Sequence, residues 1–219
     1  MFELFDPQGD VRITAGNLPH WYQPDVTYFV TFRTEDSLPN DVADLWHRRR
    51  DDWLRRHQVN PTNPRWKALF ERLPREEQIE FHHKFTTEYL SLLDKGWGEC
   101  VLMRRELASF VSNSLEHFDG QRYRLGDFIV MPNHVHLLVC LLGSTEIEKQ
   151  CYSWKKFSAG KINSALGRQG RFWQEESFDH LVRGPNQFER FRDYIATNGE
   201  RAGLDPGSYL VGHGKQSPK

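Results

Sequence analysis

Cysteine is scarce in this chain: Cys100, Cys140 and Cys151 are an odd number and form no C-x-x-C pair. That excludes a disulfide framework and argues against a structural zinc site. Long apolar runs are missing too. No stretch of about 18 apolar residues exists, so no membrane span is expected. The opening MFELFDPQGD has no basic region followed by an apolar stretch, so a secretory leader is not expected and the cytoplasm is the expected compartment. Neither Gly143 nor the glycines at 167 and 170 match a P-loop or a dinucleotide fingerprint. A Gly-x-Ser-x-Gly elbow is absent, and no cysteine sits in a nucleophile setting.

What is present suits one substantial domain. The 219 residues are 38% hydrophobic and 13% aromatic, enough for a core, and 27% charged with the signs almost balanced at a net −1. The distribution carries more information than the sum. Residues 1–120 hold 15 Lys and Arg against 20 Asp and Glu, whereas residues 121–219 hold 14 against 10. Between 149 and 171 there are six basic residues and no acid: Lys149, Lys155, Lys156, Lys161, Arg168 and Arg171. A polyanion is expected to bind there.

The segment VTYFVTF at 26–32 is rich in β-branched and aromatic residues and predicts a strand. Apolar positions at helical spacing predict helices over 40–57, 75–95, 105–118, 146–166 and 186–201. Further strands are predicted at 121–131, 134–140 and 178–182. The break at Pro132-Asn133 is too short for a parallel crossover, which makes the fold α+β with a mainly antiparallel sheet. Residues 1–25 are expected to form an N-terminal arm, 26–204 the domain, 58–98 a helical insertion, and 205–219 a loose tail rich in Gly, Pro and Ser.

The chemistry concentrates at HVH, residues 134–136, inside an apolar strand. Side chains alternate along a strand, so His134 and His136 share one face and can hold a divalent ion with positions open for substrate. Two histidines satisfied within a core would give the same pattern. Tyr194 and Asn198 lie four residues apart on the last helix, hence on one face. An activated tyrosine is a covalent nucleophile, and an amide oxygen is a hard ligand for Mg²⁺ or Mn²⁺. An ordinary amphipathic helix with a wet tyrosine hydroxyl is the plainer reading of that pair. In the basic stretch, Trp154 and Phe157 are expected to pack inward while the lysines face DNA. His82 and His83 are adjacent on a helix, diverge by about 100°, and are expected at the surface rather than on a shared metal.

The string VMPNHVHLLV at 130–139 resembles the HUH motif of single-tyrosine transposases, in particular the REP-associated tyrosine transposases. The resemblance continues through LPHW at 18–21, YFVTFR at 28–33, HFDGQRY at 117–123, SWKKFSAGKIN at 153–163, FWQEESFDHLVR at 172–183 and YIATN at 194–198. It spans roughly residues 18–204 in order and implies a central antiparallel sheet of ferredoxin-like type flanked by helices. It further implies His134, His136 and Asn198 as ligands of Mg²⁺ or Mn²⁺ and Tyr194 as the nucleophile. The implied substrate is a REP-like hairpin of single-stranded DNA, nicked and rejoined through a 5′-phosphotyrosine and read by the basic stretch and the arm before residue 25. One departure is Gly199, where the family usually has proline, which leaves the end of the last helix open. The alternative is a hairpin DNA- or RNA-binding regulator that keeps the fold but does not cut. A two-histidine metallohydrolase would have no use for Tyr194.

Overall fold

The computed structural model describes residues 2–9, 12–14, 20–63 and 65–215; the side chains of Arg12, Ile13, Thr14, His20, Trp21, Lys67, His82 and His83 lie outside the description. Seven strands are described: β1 (Arg12–Thr14), β2 (His20–Tyr22), β3 (Thr27–Arg33), β4 (Tyr123–Val130), β5 (His134–Leu141), β6 (Phe178–Leu181) and β7 (Leu210–His213). The helices are α1 (Asn40–Arg56), α2 (Trp66–Phe70), α3 (Arg75–Phe81), α4 (Thr87–Leu93), α5 (Arg105–Glu116), α6 (Ile147–Leu166) and α7 (Pro185–Arg201). Strands β1 and β2 form a small antiparallel pair. The remaining five make one sheet in the order β6-β3-β5-β4-β7, every pairing antiparallel.

Removing β7 leaves strand–helix–strand–strand–helix–strand connectivity with the ferredoxin-like spatial order. The expected α+β class with an antiparallel sheet flanked by helices is what the chain forms. Pro132 and Asn133 make the tight β4–β5 connection, closed by Met131 N–H donating to His134 O at 2.8 Å. Strand β5 lies at the centre, paired on both sides, and every one of its residues is buried.

One face of the sheet packs against α5 and α6. Val30, Val135, Leu137, Val139 and Trp154 meet there in the largest core. Trp154 donates from its indole to the Tyr123 hydroxyl at 2.9 Å, and that hydroxyl donates to Leu115 O at 2.7 Å, so the polar tips are satisfied in a dry layer. Helix α7 covers the opposite face through Phe29, Ile129, Leu138 and Ile195. A third cluster, of Trp53, Trp66, Phe70, Phe81 and Phe85, binds α1 to α2, α3 and the turn that follows α3 in a separate helical lobe.

Three expectations change. The helix predicted over 75–95 is interrupted by a π-helical turn, His82–Thr86, between α3 and α4. The helical lobe begins with α1 at residue 40, because Trp53 and Leu54 of α1 supply part of its core. The tail expected to be loose contributes β7, which pairs with β4. Gly212 fits there because a Cβ would collide with the Phe128 ring. Leu18 and Pro19 of the LPHW segment lie outside the described residues.

Candidate active site

Strand β5 divides its side chains between the faces. Val135, Leu137, Val139 and Leu141 enter the larger core, and His134, His136 and Leu138 point to the α7 side. Both histidines are fully buried. Asn133 Nδ2 donates to Trp97 O at 2.8 Å, which turns its amide oxygen toward His134 Nδ1, 2.7 Å away. An amide oxygen only accepts, so the hydrogen of His134 sits on Nδ1 and Nε2 keeps a lone pair. The Thr31 hydroxyl is hydrogen-bonded to His136 Nδ1 at 2.7 Å and so fixes the orientation of that ring. These partners aim the two Nε2 atoms into one pocket, as the outer partners of metal-binding histidines do.

Helix α7 brings Tyr194 and Asn198 over the same spot. The Tyr194 hydroxyl lies 3.4 Å from His136 Nε2, and its ring stands edge-on to Phe29 and His136. Phe29 stacks on Phe191 with centroids 4.2 Å apart, which fixes the helix against the sheet. Asn198 is fully buried, with its Nδ2 3.4 Å from Asp94 Oδ1. Asp94, just beyond α4, also approaches His134 Nε2 at 3.6 Å. His134, His136, Tyr194 and Asn198, gathered from two distant segments, thus come together around a fifth side chain, Asp94.

Asp94 escaped the sequence reading because nothing links it by spacing to residues forty positions later. One trace was available: it ends a helix, where a carboxylate faces the negative pole of the helix dipole and needs another reason to be there.

The electrostatics suit a cation. Burial lowers the His134 pKa to about 3, and burial together with neighbouring His134 takes His136 well below its ordinary value, so both imidazoles are neutral ligands. Burial raises Asp94 to about 6, against the pull of Asn198 and Arg201. Two buried atoms here, His134 Nε2 and Asn198 Oδ1, have no hydrogen-bond partner. Ligand atoms of Asp94, His134 and His136 all lie within 4.8 Å of one another. Orphaned lone pairs beside a carboxylate, with no donor aimed at them, fit a divalent cation. The Tyr194 phenol is pushed up by burial, and further by Asp94, against Asn198 and Arg201.

Gly199 follows from packing. A Cβ there would run into the Tyr209 ring, so only glycine lets the segment before β7 close on α7, and the helix continues to Arg201.

The basic stretch lies elsewhere. Helix α6 packs on the face of the sheet opposite the histidines. Lys149 pairs with Glu146 at 2.9 Å, Arg168 pairs with Glu99, and Arg171 approaches Glu175 at 3.6 Å. Lys155 donates to the carbonyls of Gln174 and Glu175, and burial lowers its pKa. Lys156 sits over the Tyr152 ring, and Lys161 is exposed. Trp154 is buried as expected, but Phe157 is 51% exposed and Tyr152 63% exposed. The three-residue spacing leaves Phe157 about 60° from Trp154, outside the arc that the sheet covers.

No protein-family model and no curated protein matches the chain. Among solved structures it is similar to one described as the REP-associated tyrosine transposase bound to a REP hairpin, at 16% identity over 85% of this chain and 73% of that chain, with a TM-score of 0.41. At that identity and score the likeness assigns no residue a role. Among the described residues no helix is long and apolar enough to cross a membrane.

Proposed function

We propose that the protein is a metal-dependent tyrosine transposase that nicks and rejoins single-stranded DNA at hairpins. The observation that carries the reading is the Tyr194 hydroxyl 3.4 Å from His136, beside the orphaned lone pairs of His134 and Asn198. The resemblance of residues 130–139 and 194–198 to the HUH transposases supports it.

His134, His136, Asp94 and Asn198 would hold the cation, Mg²⁺ or Mn²⁺. When bound, it supplies charge to stabilise the phosphate oxygens and to ease loss of the phenol proton. Tyr194 Oη forms a bond to phosphorus while the P–O3′ bond breaks. The phenol proton ends on the departing 3′-oxygen, leaving a 5′-phosphotyrosine and a free 3′-hydroxyl. Attack by a 3′-hydroxyl on the same phosphorus reverses the exchange, so rejoining needs no external energy source. Phe29 and Phe191 hold the α7 face that carries Tyr194. Asn133 and Thr31 hold the imidazole rings in the orientation that points Nε2 inward.

The buried, protonated Tyr194 favours one other reading, a hairpin-binding module that keeps the fold without cutting. A labelled single-stranded hairpin on a denaturing gel separates the two. Wild type is expected to form a covalent adduct mapping to Tyr194, and Tyr194→Phe to bind the hairpin without an adduct. No adduct in wild type with Mg²⁺ or Mn²⁺ supports the binding module; an adduct on Tyr152 or Tyr209 overturns the assignment of the nucleophile.

A further inference from the structure

A cavity of about 360 Å³ opens between the helical lobe and the β6 edge of the sheet. That is at the lower end of the size range of small-molecule sites, roughly 300–1,000 Å³. Trp46, Phe85 and Tyr89 line the lobe side, and Thr31, Phe178 and His180 line the sheet side. Thr31 is also the partner of His136 Nδ1, so a single hydrogen bond separates this cavity from the tyrosine centre.

The rings are presented rather than merely buried. Trp46 and Tyr89 stand 5.1 Å apart at 48°, an open tilt, and both are only half-buried. Arg33 donates to the Tyr89 hydroxyl at 3.0 Å, and Arg50 lies 5.3 Å over the Trp46 ring, so each ring is held in place by a guanidinium. The backbone of the lobe wall includes the π-helical turn, an arrangement concentrated at functional sites.

The charge of the lining selects the ligand. Arg33, Arg50, Arg171 and Arg183 are matched by Glu71, Glu175, Glu176 and Asp179. Arg183 pairs with Glu71 at 2.9 Å, and Arg171 approaches Glu175 at 3.6 Å. A balanced rim does not concentrate phosphate. It suits a flat, neutral group with a π face and hydrogen-bonding edges, and an unpaired nucleobase has all of these.

We propose that this cleft takes one unpaired base of the single strand whose phosphate reaches Tyr194, which rests on the reading of that centre as a nicking site. The phosphates on either side of the base remain outside in solvent, and stacking on Trp46 and Tyr89 sets which nucleotide is held.

The test uses Tyr194→Phe protein in excess chelator, so that only binding is read, and a hairpin with single-stranded flanks in which each nucleotide in turn is made abasic. One flank position is expected to weaken binding by about 5- to 150-fold when abasic, the loss of one stacked base at about 1–3 kcal/mol. 2-Aminopurine at that position should dim on binding, and 5-iodouridine there should cross-link to the peptides carrying Trp46 or Tyr89. In Tyr89→Leu, with a native circular dichroism spectrum, the abasic penalty should shrink to less than about twofold. A flat abasic scan, an unchanged penalty in Tyr89→Leu, or cross-links on α6 each overturn the proposal. Displacement by an equal concentration of free nucleoside overturns it too, because the cleft would then serve a free metabolite. Should Tyr89→Leu not fold, the scan and the cross-link still decide. The covalent adduct of wild type is scored separately, so a cleft that binds a base without any adduct refutes the nicking reading alone.

Discussion

The two faces of the sheet are built from one strand and come out opposite. Odd-numbered residues of β5, from Val135 to Leu141, join a dry layer in which even the Tyr123 and Trp154 tips find partners. Even-numbered residues place two neutral imidazoles beside a carboxylate and leave His134 Nε2 and Asn198 Oδ1 unpaired. The dry face buries mostly apolar groups, with Gln150 Nε2 of α6 an unpaired exception. The α7 face keeps buried lone pairs unsatisfied, a cost a fold retains where the pocket has a ligand.

Substituting neighbours on β5 tests the difference most directly. His136→Ala is expected to lower adduct formation by about a thousandfold or more, the scale of several kcal/mol of lost transition-state stabilisation, while the protein still folds cooperatively. Leu137→Ala, one residue along, is expected to cost about 2–5 kcal/mol of stability in urea denaturation, with normal cutting by the folded fraction. If the two substitutions behaved alike, the division of the strand would be wrong.

Acid should act on the α7 face through its imidazoles. In excess chelator, His134 (lowered to about 3) and His136 (well below its ordinary value) stay neutral in the folded chain and take up protons on unfolding below about 6.5. Their folded values are depressed, so the unfolded state binds more protons and stability falls as pH drops through that window. Asp94, raised from 3.8 to about 6, works the other way: its contribution is lost as pH rises through 6. Two imidazoles against one carboxyl leave a net uptake of about one proton on unfolding between pH 4 and 6, or about 1.4 kcal/mol per pH unit. Urea midpoints at pH 4.5 and 5.5 read this slope, and equal midpoints would contradict buried neutral histidines.

The smallest effect concerns α6. Lys156→Gln should weaken hairpin binding and reduce the salt slope by about 0.7 for a contact to a single strand. Lys155→Gln should change the slope less, because its ammonium is committed to two carbonyls. Equal slopes for wild type and Lys156→Gln would make α6 a solvated surface and leave nucleic acid to the α7 side.

The legible parts of the molecule were those with a local rule. Alternation put His134 and His136 on one face, helical spacing put Asn198 one turn beyond Tyr194, and the two-residue break at Pro132-Asn133 required antiparallel neighbours. Asp94 had no such rule, since what brings it to His134 is the docking of a separate lobe. Strand β7 was hidden because Leu210 and Val211 sit among glycines and serines, and pairing with β4 rather than composition makes them a strand. Freedom from acids between 149 and 171 was a fact of sequence alone. Glu99, Glu146 and Glu175 arrive from outside that window and meet three of its six cations.

Helix α7 is gripped by both outlying ends of the described chain. Phe2 packs on Phe188, and Phe5 N–H donates to Val182 O just before the helix begins. On the other side Tyr209 closes over Gly199, while Asp127 of β4 binds both Arg192 of α7 and His213 of β7. Disturbing either of these segments therefore bears on the helix that carries Tyr194. A label attached at an exposed internal site such as Gln121, in the turn before β4, has no such lever, and it is the safer handle for single-molecule work on this protein.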